Sequence, residues 1–413
     1  MKHIYTSIDL GTDTIKVVVC ELFNNKLNLL AASSAKSKGI KKGLITDVYE
    51  AMEALKQALT EVEEMLGIRI KKAIASVPSY FSEFSMVKGT IQLNVEEEIT
   101  GKDITEVLQV AAKSKRLPNH EMVTLLPIDF SIDEQTGIKD PKGLFGNVLG
   151  LRGILVTTPK KNIYSVVNLL ETAGLEVVDV SLNSIGDMYA LKNQETEHKI
   201  GAVVNIGYET TTVSLYNKGI IVKNSIIGLG SRNIDHDISY IYHLTLGQAT
   251  KLKEKFALAH KNYANTNDIC EVEDKNGVIV KVNQFELSEI VMSRVEEILT
   301  LAKKEINVLT KCEVNYILIT GGTSSMDYFQ EIASEVLGTK VQLGKVRLIG
   351  IRNNKFSSAL GNIIYFIQKL KLTGKDYTMI SEADAEALSS VKKGIAINTD
   401  SMLGKVFGYF FSE

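Results

Sequence analysis

Asp9, Gly11, Thr12, Asp13, Thr14 and Lys16 sit together in the stretch Ser7 to Val19, SIDLGTDTIKVVV. A glycine-opened turn flanked by small hydroxyl residues lets backbone N–H groups come close to an anion. The same pattern returns at Gly201 to Tyr216, GAVVNIGYETTTVSLY. Overlaid, Asn205 falls on Asp9, Gly207 on Gly11, Glu209 on Asp13 and Thr210 on Thr14, with Tyr208 beside the second glycine. Each copy reads as strand, tight turn, strand, because apolar residues alternate on both sides of the turn. Two such turns facing each other would grip a polyphosphate from both sides; the plainer reading is a pair of ordinary hairpins. A third turn, Thr320-Gly321-Gly322-Thr323-Ser324, follows an apolar strand and precedes a helical pattern. Glycines there let backbone lie against a flat ring or a phosphate, and a helix N-terminus favours negative charge. Asp9 is an oxygen ligand of the kind a water-coordinated magnesium ion takes, or else a turn-capping carboxylate. Lys16 points to phosphate or to solvent.

Elements that can carry these turns recur in both halves of the chain. Before the midpoint, strands are expected up to Ala32, a helix over Val48 to Leu66 capped by Gly67, and a buried strand over Lys72 to Val77 ended by Pro78. Residues 82 to 161 break the pattern: strand-like runs surround one helix, and four of the five prolines fall there. Helices over Asn162 to Ala173 and Ser184 to Leu191 flank a further strand. The second half repeats the plan, with helices over 245 to 259, Phe285 to Leu309 and Ser357 to Lys369. Strands alternating with helices, twice over, predict an α/β protein of two domains.

Length and composition fit that expectation. At 413 residues, 45% hydrophobic and 23% charged, the chain can bury sizeable cores. A net charge of −2 carries no basic field directed at nucleic acid. Three scattered cysteines and six histidines without paired spacing argue for a reducing cytoplasm and against a zinc site. The first residues run directly into a strand, so no leader is expected.

Thr373 to Asp400 reads as a polar linker. After it comes SMLGKVFGYFFSE, in which Met402, Leu403, Val406, Phe407 and Phe410 fall on one helical face, widened by Phe411. Such a helix suits a membrane interface, being too short to span one; the alternative is a final helix packed on the protein's own core.

The three glycine turns, in this order, resemble the superfamily of actin, heat-shock ATPases and sugar kinases. Within it the chain resembles the FtsA family of bacterial actin-like division proteins. SKGIKKGLITD (37 to 47), DPKGLFG (140 to 146), AGLEVVDV (173 to 180) and FELSEIVMSRVEEI (285 to 298) carry that resemblance. It implies an actin-like ATPase fold, with residues 1–81 and 162–197 forming one subdomain and 82–161 inserted in it. Residues 198–227 and 313–372 would form its counterpart, with 228–312 inserted there, 373–400 a linker and 401–413 a membrane-targeting helix. It implies ATP and Mg2+ in the cleft, the ion at Asp9, with Gly230 and Lys253 joining the three turns around nucleotide. It also implies self-assembly into protofilaments, binding of the FtsZ C-terminal peptide in the second insertion, where Arg294 is a candidate contact, and other division partners. The place implied is the cytoplasmic face of the membrane at the division septum. Departures from the family pattern matter. Asn205 stands where Asp is usual, Tyr208 where Gly is usual, Thr250 replaces the Glu of an E-x-x-K helix, and Gly230-Ser231 replaces Gly-Gly. ATP binding with slow or absent hydrolysis is therefore expected. Two other readings remain at this point: a type IV pilus inner-membrane platform protein, and a sugar or acyl-phosphate kinase of the same fold.

Overall fold

The computed structural model describes residues 3–394 except positions 95, 116 and 352, and side chains only to residue 388. Met402, Leu403, Val406, Phe407, Phe410 and Phe411 lie outside the described residues.

The first half builds β1 (His3–Leu10), β2 (Thr14–Phe23), β3 (Lys26–Lys36), α1 (Val48–Leu66) and β4 (Lys72–Val77). An inserted unit follows: β5 (Glu83–Gln92), α2 (Gly101–Lys113), β6 (His120–Ile132), β7 (Gln135–Ile138) and β8 (Val148–Pro159). The chain then returns through α3 (Lys160–Thr172), β9 (Glu176–Leu182) and α4 (Asn183–Leu191). The second half starts with β10 (Ile200–Ile206), β11 (Thr211–Asn217), β12 (Ile220–Ile227), α5 (Ser231–Ile241) and α6 (Leu246–Phe256). It continues with β13 (Ile269–Glu273), β14 (Ile279–Asn283), α7 (Gln284–Leu309), β15 (Tyr316–Thr320), α8 (Phe329–Leu337), β16 (Val341–Leu343) and α9 (Ser357–Leu372).

The two main sheets have one topology. The first runs β9-β4-β1-β2-β3 and the second β16-β15-β10-β11-β12. In each, three antiparallel strands meander from the central strand, and two parallel strands complete the other side. Alternation explains the layering. On β1 and β2, Ile8, Leu10, Val17 and Val19 face α1 and α3, whereas Tyr5, Val18 and Cys20 face α9. On β10 and β11, Val204, Ile206 and Val213 face α5, α7 and α8, whereas Val203 and Tyr216 face α4. Helices α4 and α9 therefore lie between the sheets. They cross at Gly186 and Gly361, where a Cβ on Gly361 would fall on the Gly186 carbonyl. The inserted sheet, β5-β8-β6-β7, is antiparallel and packs one face on α2.

Local signals explain the helix ends. Asp47 accepts from the Tyr49 and Glu50 N–H groups at the start of α1, and Gly67 ends it at φ 69°. The polar stretch after Leu372, expected as a linker, departs from that reading. Met379 is 3% exposed and its N–H donates to the Ile4 carbonyl at 2.9 Å. Ile380 and Leu388 pack against the core under α1, and a further helix, α10, runs over Glu382–Gly394. Ser381 and Asp384 cap its start, with Asp384 N–H donating to Ser381 Oγ at 3.2 Å. A few apolar residues suffice to dock this segment beside the start of β1, where the Ile4 N–H also donates to Thr378 Oγ1 at 3.1 Å, and they are too sparse to show a period.

Candidate functional site

The overlay of the two hairpins holds residue by residue in space. Asp9 pairs with Lys16 across the first turn, and Asn205 with Thr212 across the second. A Cβ on Gly11 would lie 2.7 Å from the Thr14 carbonyl, and one on Gly207 would lie 3.0 Å from the Thr210 carbonyl. Both turns thus need a bare backbone to stay tight. Together they border one cleft of about 350 Å³ between the two halves. Asp9, Gly11, Thr12, Asp13, Thr14, Lys16, Asn205, Gly207, Tyr208, Thr210, Lys253, Gly321, Gly322 and Thr323 all line it.

The remaining candidates stand elsewhere. Glu209 lies behind the second turn, paired with Arg232, and accepts the Lys42 N–H at 2.6 Å. Gly230 supports the same turn: a Cβ there would meet the Tyr208 and Gly207 carbonyls, and the Arg232 N–H donates to the Tyr208 carbonyl at 2.7 Å. Arg294 is on α7, outside the cleft. It makes a bidentate pair with Asp237 (2.7 and 2.8 Å) in a separate surface hollow beside exposed Tyr240 and Ile241.

The carboxylates and cations are arranged in pairs. Asp9 is 4% exposed; Lys16 Nζ donates to one oxygen at 3.1 Å and Asn183 Nδ2 to the other at 3.0 Å. Asp13 pairs with Lys36, whose ammonium also lies 5.4 Å from the Tyr208 ring centroid. Lys253 pairs with buried Asp235 at 2.7 Å, and Thr250 donates to the same carboxylate at 2.9 Å. Lys355 is pushed down from its ordinary pKa, first by burial and then by the charge of Lys16. The cleft therefore crowds lysines, which a polyphosphate would relieve.

Behind the second hairpin lies Asp187 of α4. It is 2% exposed and accepts from Asn205 Nδ2 (2.6 Å), Ser357 Oγ (2.6 Å) and Ser358 Oγ (2.8 Å). Burial pushes its carboxyl up to about 6, against the pull of those three donors.

The third turn differs from expectation in one respect. Gly321 is at φ 93°, where a Cβ would overlap Asn205 Oδ1 and the Ile206 carbonyl, and a 3₁₀ turn, Gly322–Ser325, follows. The α-helix starts only at Phe329, after Tyr328 turns left-handed at φ 62°. Backbone glycines, rather than a long helix dipole, are what this wall offers. A Cβ at Gly322 would meet nothing within 4 Å, so that face is open.

Sequence reasoning missed Lys42 and Gly43, Pro78 to Tyr80, Asn183, Glu254, and Asn353 to Lys355, all of which line the cleft. Most lie in connections between elements. The two glycines of SKGIKKGLITD were the available signal for the first: Gly43 N–H donates to Thr12 Oγ1 at 2.8 Å.

A family model described as Cell division protein FtsA matches residues 202–361, and another, the SHS2 domain inserted in FTSA, matches 83–157. Cell division protein FtsA of Streptococcus pneumoniae serotype 2 (strain D39 / NCTC 7466) is 31% identical, over 86% of this chain and 78% of that one. The chain belongs to the FtsA family. The FtsA of Bacillus subtilis (strain 168) is 27% identical, over 94% of this chain and 90% of its own length. Solved structures similar to this FtsA-family chain include the PilM-PilN type IV pilus biogenesis complex (TM-score 0.58, 14% identity, covering 89% of this chain and 98% of that one). Another is MreB5 of Spiroplasma citri bound to ADP (TM-score 0.56, 13% identity, covering 90% and 98%). At such identities the likeness establishes the fold, which is actin-like. In FtsA terms, the SHS2 match spans β5 to within β8, the inserted unit.

The residues of the cleft suit a nucleotide with magnesium. Gly11, Gly207 and Gly321 stand where a Cβ would crowd backbone, Lys16, Lys42, Lys253 and Lys355 line the cleft, and Asp9 offers carboxylate oxygen. Among the described residues no cluster of three or more His, Cys, Asp or Glu could hold a metal alone. That agrees with an ion such as magnesium, which keeps its waters and leans on the phosphates.

Proposed function

We propose that this FtsA-family protein binds ATP with Mg2+ in the cleft, hydrolyses it slowly or not at all, assembles into actin-like protofilaments, and tethers an FtsZ ring to the membrane. The observation that carries the nucleotide reading is the pair of glycine-opened hairpins, matched in register, on opposite walls of one cleft. In that reading Gly11 to Thr14 and Gly207 to Thr210 hold phosphates through backbone N–H groups. Lys16 neutralises charge, Asp9 orients the hydrated ion, and Gly321 to Thr323 border the adenosine. Magnesium would supply charge neutralisation across the phosphates. Hydrolysis needs a group that orients and deprotonates water, and here Asp9 is held at both oxygens while position 205 is an amide.

The ring contact is assigned to the hollow at Asp237, Tyr240, Ile241 and Arg294, whose exposed Tyr240 and Ile241 beside paired charges suit a short peptide. The membrane contact is assigned to residues 401–413. No helix among the described residues is long and apolar enough to cross a membrane. Burying an apolar side chain fully contributes roughly 1.5–3 kcal/mol, and an interfacial helix buries its side chains only in part. One tail is then a marginal anchor, and a filament carrying many tails gains on the order of 10²–10⁴ in avidity. The pilus-platform reading has the structural likeness to PilM and lacks the family match.

The test uses full-length protein with a fluorescent ATP analogue, with and without magnesium, and vesicles of anionic lipid in a parallel co-sedimentation arm. Binding is expected for the native chain and weakened in Gly11→Ala, whose added Cβ would meet the Thr14 carbonyl; vesicle binding is expected to rise with assembly and to vanish in Phe407→Glu. Rapid magnesium-dependent phosphate release, abolished by Asp9→Ala, would refute the slow-hydrolysis part.

A further inference from the structure

Position 205 faces the cleft with an amide, and a buried carboxylate stands directly behind it. Asn205 Nδ2 donates to Asp187 Oδ2 at 2.6 Å. The other Asp187 oxygen takes hydroxyl donors from Ser357 and Ser358 at the start of α9, and Thr320 donates onward to Ser357 at 3.1 Å. Asp187 therefore joins α4, β10, α9 and the end of β15, immediately before Gly321. All its direct partners are neutral donors. Resting on the nucleotide reading above, we infer that Asp187 is a positioning residue that turns the Asn205 amide so that Oδ1 is its free end toward the cleft. The two side chains are then a matched pair in which the acid has been withdrawn from the cleft wall into the inter-sheet layer.

The reasoning is electrostatic. Carboxylates at both positions would put two acids within hydrogen-bond distance in a buried site, where one must stay protonated or the pair must separate. An amide at 205 lets both oxygens of Asp187 accept while giving up no donor. The hydrogen-bond pattern is also reversible. With Asn at 187 and Asp at 205, the amide would donate forward and its oxygen would accept from Ser357 and Ser358. Only the location of the charge would change. In the native arrangement the second wall offers a neutral oxygen, so Asp9 would be the one protein carboxylate toward a phosphate-bound ion, and nucleotide affinity should depend weakly on magnesium.

A double-mutant cycle tests this on the full-length protein. Thermal unfolding is measured without nucleotide, and ATP-analogue binding is measured with magnesium or with excess chelator. Asn205→Asp alone should melt below the native protein, and the swap Asp187→Asn/Asn205→Asp should recover the native midpoint. In the swap, the ratio of affinities with and without magnesium should rise roughly tenfold or more, the order expected for one charge placed near a dication. Two results would overturn the proposal: a single Asn205→Asp variant as stable as native with no coupling to Asp187, or a stable swap with an unchanged magnesium ratio. If the native protein bound no nucleotide at all, the nucleotide reading would fall and the magnesium consequence with it. The unfolding cycle would still decide whether the pair is coupled.

Discussion

The two halves approach closely where α4 and α9 cross, and that crossing makes a sharp prediction about Gly361. Adding a methyl to a glycine in a helix interior ordinarily stabilises by about 0.5–1 kcal/mol, by reducing the freedom of the unfolded chain. At Gly361 the new Cβ would fall on the Gly186 carbonyl, a backbone atom with no rotamer to yield. The neighbours on α9 are also packed: Ala359, Leu360, Ile363, Tyr365, Phe366 and Ile367 are all buried. Overpacking of this kind costs about 1–3 kcal/mol, so Gly361→Ala should lose on the order of 1–2 kcal/mol net, a few degrees in melting midpoint. Gly247→Ala is the control. That glycine lies in the first turn of α6, an added methyl there would meet nothing within 4 Å, and its substitution should be neutral or slightly stabilising. Paired urea and thermal melts of both variants supply the comparison. Because the crossing sets how the two glycine-opened hairpins face each other, the proposed nucleotide site predicts that Gly361→Ala weakens nucleotide binding while Gly247→Ala does not. A Gly361→Ala protein that melts at or above the native temperature would refute the close crossing and the argument built on it.

Thiol labelling and one truncation probe other parts of the fold. Cys20 is fully buried on β2, and burial pushes its thiol up to about 12, whereas Cys312 is exposed. Ellman's reagent should modify Cys312 promptly and Cys20 only on unfolding; fast native labelling of Cys20 would show that the β2–α9 layer opens. Met379→Ala should cost about 2–5 kcal/mol, the range for a buried methionine cut to alanine. An unchanged melt would mean that the segment after Leu372 does not dock on the first sheet.

Much of the fold was legible because periodicity and turn chemistry agreed. Val48 to Leu66, with Asp47 before it and Gly67 after it, is a helix whose two ends are written in residue types. The paired hairpins were legible because the same turn occurs twice, and register then follows from alternation. The cleft's other lining was not. Lys42, Tyr80 and Lys355 come from connections and Asn183 from the first residue of α4, and only the tertiary path brings them to one place. The start of α10 shows the opposite case: Ser381 to Asp384 carries a capping signal that polar composition concealed.

Position 205 is the instructive residue. In sequence its amide looks like a charge lost from the second hairpin, and the inference of weak hydrolysis follows from that loss. In the fold a carboxylate stands 2.6 Å away on α4, 18 residues earlier in the chain. Asp187 gave no sign of this, since a polar residue on a short helix usually faces solvent. Its burial becomes visible only once α9 and the second sheet close over it. What separates this cleft from a symmetric grip is thus the position of one negative charge rather than its absence. In the proposed reading, slow hydrolysis rests on where that charge is held: behind the wall, with its oxygens engaged by three donors, it would not be free to act as a base toward water in the cleft.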